Sequence, residues 1–193
     1  MQTIALSEIL NIADYEKVRP EYRKKVISEK ANRRIAVGPL LTFVFENKNT
    51  VLFQIQEMAR TERLVHDTEI QHEIDTYSRL LPTHNELSAT LLIGITDKDQ
   101  IKPVLDSLVA LTQNSVFLRI GEHETEAYFD EEQSEEGRIS AVQYIRWRLS
   151  DGDLQALRSG EAAMSIVVRH PNYQYTQQFT LEQRASIAKD VLH

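Results

Sequence analysis

Residues 138–149, RISAVQYIRWRL, alternate apolar and polar side chains with a period of two. Ile139, Ala141, Ile145, Trp147 and Leu149 fall on one face, and Tyr144, Arg146 and Arg148 on the other. Successive side chains of a strand point to opposite faces, so the segment reads as a strand with one face in a core. Gln143 breaks the pattern by sitting on the apolar face. Either it lines a small-molecule pocket, or it is a buried amide bonded to backbone groups, the usual state of buried polar side chains.

The same pattern recurs outward from this strand. LSATLLIGI (87–95) places Leu87, Ala89, Leu91, Ile93 and Ile95 on one side, and IAVGPLLTFVFEN (35–47) does so with Leu41, Phe43 and Phe45 after the Gly38-Pro39 punctuation. SVFLRIGEHETEAYFD (115–130) reads as a hairpin turning near Gly121-Glu122, and AAMSIVVRH pairs with YQYTQQF across His170-Pro171-Asn172. Most successive strands are joined by short turns, which antiparallel pairing allows and parallel crossovers do not. Helices are expected from Pro20 to Arg34, with the proline in the first turn. Others are expected over 51–81, over 97–112 with Asp97 as cap, and over 180–192 with Thr180 and Gln183 as a capping box. The fold class is α+β: an antiparallel sheet of about six strands with helices packed mainly on one face, including a long or broken central helix. With 193 residues, one domain over 1–193 is expected.

Composition narrows the function. The chain is 41% hydrophobic, enough for a core, and has a net charge of −7, which opposes general nucleic-acid binding. It has no cysteine, so thiol catalysis and cysteine-held metals are excluded, and any divalent metal would need His, Asp and Glu ligands. No secretory leader and no membrane-spanning run is apparent, so a cytoplasmic location is expected. The opposed charge runs are basic over 14–34 and acidic over 122–136; each reads as a solvated surface or a docking element. The acidic stretch 130–137 reads as a loop, and pairing of the acidic run with the basic first helix is a third reading.

The segment QEMARTERLVHDTEIQHEIDTYSRLL (56–81) is the most polar helix. As one helix, 51–81 would be about 46 Å long, with its two apolar stripes rotated by roughly 80°. It therefore winds across its support or breaks, with a break expected near Asp67-Thr68 and a second capping box at Thr68 and Gln71. Glu62, His66, Glu69 and Glu73 follow i, i+4, i+7, i+11 and continue the first apolar stripe, so a shared divalent metal is one reading. Glu69 and His72 match the Glu-x-x-His spacing of di-iron bundles, but no second copy exists. Arg60 and Arg63 lie beside these acids, and ion pairs such as Glu57–Arg60 and Glu62–Arg63–Glu69 are the simpler reading. Arg60, Arg63 and Gln143 are the candidate binding residues.

YEKVRPEYRKKVI (15–27), RRIAVGPLLTFVFENKNTVLFQIQEMARTER (33–63), LSATLLIGI (87–95) and ISAVQYIRW (139–147) together resemble a bacterial family, domain of unknown function 3501. The resemblance covers most of the chain and implies a single-domain cytoplasmic protein with no transferable catalytic residue. It also implies a partner in redox metabolism, since relatives are often encoded beside rubrerythrin-like and iron–sulfur oxidoreductase proteins. No Walker loop, G-x-S-x-G or H-E-x-x-H motif is present. The expected function is a non-catalytic accessory or interaction protein, with no cofactor and a redox protein as partner. The alternatives are a metal-binding protein or metalloenzyme on the 62–73 helix, and a small-molecule sensor at Gln143. A homodimer is compatible with the charged helix and the seven tyrosines.

Overall fold

In the computed structural model, which describes residues 3–130 and 138–192, the Gln143–Trp147 stretch is the central part of strand β7 (Val142–Arg148). The other strands are β1 (Arg34–Val37), β2 (Leu41–Phe45), β3 (Glu86–Ile93), β4 (Val116–Ile120), β5 (His123–Glu126), β6 (Tyr128–Phe129), β8 (Met164–His170) and β9 (Tyr173–Gln178). The α+β class holds, but there are two antiparallel sheets rather than one. A five-stranded sheet has the order β1-β2-β3-β7-β6 and a four-stranded sheet the order β5-β4-β8-β9.

The division has a local cause. β5 and β6 are almost one strand, but at Ala127 the chain leaves one sheet for the other, and the Ala127 N–H bonds the Val116 carbonyl at 2.8 Å. At the far edge Tyr173 of β9 clips the β1–β2 turn. Its hydroxyl donates to the Val37 carbonyl at 2.6 Å and accepts from Leu40 N–H at 3.0 Å. Gly38 makes this approach possible, because a Cβ there would lie 2.5 Å from the Tyr173 hydroxyl and φ is +64°.

Both sheets turn their apolar faces to one core. Cross-strand partners Phe45, Ala89 and Ile145 share a face with Leu87 and Trp147, and Leu118 and Ile166 face them from the second sheet. Trp147 stacks on Phe45 with centroids 5.4 Å apart.

Helices α2 (Lys48–Thr61) and α3 (Asp67–Ser78) cover the outer face of the five-stranded sheet. The central helix is broken, and the break explains the two offset stripes. Val51 and Ile55 of α2 and Ile70 and Ile74 of α3 enter the same smaller core once the chain re-registers between them. The break falls at 62–66, ahead of the expected place. It is a Schellman turn: Leu64 N–H bonds the Ala59 carbonyl at 2.9 Å and Arg63 N–H the Arg60 carbonyl at 3.3 Å. His66 occupies the N-cap of α3 without a side-chain cap bond, so Thr68 and Gln71 form no capping box. At the other end Asn47 caps α2 and Thr50 completes its box.

Three further helix expectations change. α1 (Ile12–Ala31) starts eight residues before Pro20, capped by Asn11 accepting from Asp14 N–H. Proline therefore lies inside the helix, where it removes the bond to the Glu16 carbonyl. The 97–112 segment is a short α4 (Ile101–Ser107) between two 3-10 turns. α5 (Asp151–Ser159) was not expected, although its signals are present: a Ser150/Asp153 capping box and Gly160 at φ +77°. Asp153 also takes His123 Nδ1 at 2.7 Å, tying α5 to β5. α6 (Leu181–Ala188) carries the expected Thr180/Gln183 box. Among the described residues no helix is long and apolar enough to cross a membrane.

Candidate protein-interaction face

α1 is a helix of 20 residues with only Tyr15 and Val26 buried. A helix held by so little core needs polar fastenings, and α2 supplies them. Tyr15 donates its hydroxyl to Glu57 at 2.7 Å, and Arg19 makes a forked pair with the same carboxylate at 2.7 and 2.9 Å. Arg60 Nε donates to Glu16 at 2.6 Å. The Arg19 guanidinium, with help from Tyr15, holds the Glu57 carboxyl below its ordinary value despite partial burial. Burial, then the adjacent carboxylate, pushes the Tyr15 phenol up.

Glu16 and Arg19 share their stripe of α1 with residues that take no part in this fastening. At 100° per residue, Ile12, Glu16, Arg19, Arg23, Ile27 and Lys30 fall within one stripe about 80° wide. Ile27 is 51% exposed. At the N-terminal end of the stripe a cavity of about 560 Å³ is lined by Ile12, Glu16, Arg60, Thr61, Arg63 and Val65. Val65 is 69% exposed. Arg60 and Arg63, the two expected binding residues of the polar helix, thus meet at one cavity with apolar neighbours.

Arg63 sits there under strain. Its φ is +57°, the left-handed position of the Schellman turn that glycine usually fills. A left-handed L-residue costs about 1–2 kcal/mol. Its guanidinium makes no bond to compensate: among the described residues Arg23, Lys24, Lys25, Lys30, Arg34 and Arg63 have no hydrogen-bond or ion-pair partner for their side chains. On the opposite flank of α1 a second cavity, about 540 Å³, runs between Leu10, Val18, Tyr22 and Leu52 with Lys25 at its edge.

Other expected site residues are placed differently. Glu62 ends α2, His66 precedes α3, and Glu69 lies in the first turn of α3; all three are exposed, and Glu73 is half-buried. They do not form the core-facing stripe expected of a continuous helix, because the turn at 62–66 rotates α3 against α2. Among the described residues no group of three or more His, Asp or Glu could hold a metal ion. The Glu57–Arg60 pairing is replaced by pairs from both residues to α1. Of the acidic run, Glu124 pairs with Arg119 and Arg169 rather than with α1, and residues 131–137 lie outside the described residues. Gln143 is fully buried, with Nε2 donating to the Ser140 carbonyl at 3.1 Å and Oε1 without a hydrogen-bond partner among the described residues. Trp147 Nε1, on the same face, also lacks one. Gln143 lines none of the three surface cavities described in this molecule.

The family model for proteins of unknown function DUF3501 matches residues 3–191. The chain belongs to this family. A crystal structure of a novel protein of unknown function from Burkholderia pseudomallei K96243 is similar at 31% identity and a TM-score of 0.92, covering 98% of this chain and 100% of that chain. No curated protein matches. That similarity spans nearly the whole chain, α1 included. Ile12 and Ile27 escaped the sequence reading because isolated apolar residues in a charged run carry no period, whereas Val65, expected on the first apolar stripe of the central helix, is exposed instead. The one usable signal was the absence of an amphipathic stripe in residues 12–31, which marks a helix with no core of its own to face.

Proposed function

We propose that this family member is a non-catalytic accessory protein that docks an acidic partner protein on the α1 stripe. The observation that supports it is the group Arg23, Lys30 and Arg63, uncompensated cations beside the exposed apolar Ile27 and Val65, in a protein of net charge −7. Opposite charge on a partner would steer association and select the partner, and the apolar residues would serve as anchors. The strain at Arg63 fits the same reading, since a non-glycine residue kept in a left-handed turn is a common mark of a functional position. An iron–sulfur or rubrerythrin-like redox protein is the partner class that the family resemblance favours, acting in the cytoplasm.

The test is affinity capture from cell extract with the wild-type chain and with an R23E/K30E/R63E variant. The expected result is an acidic protein retained by the wild type, lost by the variant, and released at about 1 M salt, where the screening length is roughly 3 Å. Purified, that protein should bind the variant at least about tenfold more weakly, one lost charged contact being worth that much. Equal retention by both chains, release by nuclease, or substrate turnover by the isolated protein would sink the proposal.

A further inference from the structure

A third cavity, of about 420 Å³, lies between α3 and the outer face of the five-stranded sheet, away from the α1 stripe. Its volume is within the roughly 300–1,000 Å³ of small-molecule sites. Ile4, Ile74, Leu81 and Pro82 line it, and all four are buried. Arg146 of β7 brings a charge to this apolar wall.

The arginine is fixed in place. Its Nη1 donates to the Leu81 carbonyl at 3.2 Å and to Glu86 Oε2 at 3.3 Å, and its side chain is 22% exposed. Its Nε and Nη2 make no hydrogen bond among the described residues. Glu86 does not consume its charge, because that one carboxylate also accepts from Arg148 Nη2 at 3.3 Å, from the Tyr128 hydroxyl and from the Thr83 hydroxyl. Burial pushes the Glu86 carboxyl up, but these donors outweigh it and hold it below the ordinary carboxylate value. Two guanidiniums on one ionised carboxylate leave a local excess of positive charge. Arg79 and Asp75 on the rim are of opposite sign, and Asp75 accepts from Gln71 at 2.8 Å.

We infer that this cavity binds a small organic acid: the apolar body lies on Ile4, Ile74, Leu81 and Pro82, and the carboxylate takes the free donors of Arg146. Guanidinium presents fixed parallel donors that match a carboxylate, which gives the site its sign and its orientation. The reading is independent of the α1 face.

Ligand-observed NMR titrations with hexanoate, hexanol and hexylamine test it on the full chain. Hexanoate should bind saturably, and about tenfold or more tighter than hexanol or hexylamine, given the strength of charged hydrogen bonds. R146Q should remove that preference without lowering the melting temperature sharply. Because R146Q also loosens Glu86, S78W provides a second arm: it fills the rim from the last turn of α3 and should abolish hexanoate binding. The R23E/K30E/R63E variant should bind hexanoate like the wild type. Absence of saturable hexanoate binding, equal binding of hexanol, or full hexanoate binding by a folded R146Q or S78W chain would overturn the inference.

Discussion

Arg23 and Arg33 belong to one basic run, and the fold uses them in opposite ways. Arg33 is 1% exposed, and acceptors from two segments surround its guanidinium. Nε donates to the Phe45 carbonyl at 2.8 Å, Nη1 to the Ser186 carbonyl at 3.1 Å and Nη2 to the Glu46 carbonyl at 3.1 Å, while Asp190 neutralises it. It ties the C-terminal helix to the end of β2. Arg23, ten residues earlier, stands exposed on α1 with no partner among the described residues. A buried charge must be ligated within the protein or it unfolds the site. An exposed charge with no partner inside the molecule is available to a second molecule.

The strongest way to break this contrast is Arg33→Met. It removes the donor that Arg33 supplies to Asp190 and to three carbonyls, so it should lower stability by about 3–5 kcal/mol, read from the urea midpoint at constant slope. A loss under about 1 kcal/mol would mean that Arg33 is no more committed to the fold than Arg23.

Glu124 tests the middle ground. Arg169 first, then Arg119, holds its carboxyl down at about 2 from an ordinary 4.5. A carboxyl depressed in the folded state contributes stability that is fully present above its unfolded value and is lost as pH falls through the folded one. The contribution should thus disappear between about 4.5 and about 2. The group is partly exposed and solvent screens it, so the effect is on the order of 1 kcal/mol. Glu124→Gln should flatten the acid limb of a stability–pH curve by that amount; an unchanged limb would show that the Arg119–Glu124–Arg169 network is only a surface arrangement.

Arg63→Gly sharpens the comparison by separating strain from binding. Relief of the left-handed residue, about 1 kcal/mol or more, is partly offset by the added freedom of glycine in the unfolded chain. Thermal melts should show a gain of about 0.5 kcal/mol while partner affinity falls. A destabilised glycine variant would mean that the Arg63 side chain supports the fold.

The smallest expected effect is on the stability of Arg23→Glu, at an exposed position in the middle of α1. Surface substitutions away from caps and cores change stability by less than about 0.5 kcal/mol, and calorimetry should find no more than that. A larger loss would place α1 charge in the folding of the protein rather than in its contacts.

Much of the fold was legible because it is written in local periods. The alternation through Ile145 and Trp147, the His170-Pro171-Asn172 turn, the Gly121 hairpin and the Thr180/Gln183 box all appear where expected. The division into two sheets was not legible, since β5 (HETE) is polar throughout and carries no apolar alternation that could reveal the change of sheet at Ala127. The metal reading of Glu62, His66, Glu69 and Glu73 assumed one unbroken helix. Their spacing was read correctly, but spacing has no meaning across the turn at 62–66. Arg60 and Arg63 were singled out for their nearness to acids; their meeting with Ile12 and Val65 at one cavity depends on how α1 lies over α2.

The chain's own letters settle the class of elements, the antiparallel pairing, the absence of cysteine chemistry and the family, because these rest on composition, period and matched segments. Which charges are spent and which remain free was decided only when the chain folded. Ion pairing depends on distances between segments remote in sequence: Arg33 finds Asp190 across 157 positions, whereas Arg23, in the same basic run, finds no partner among the described residues.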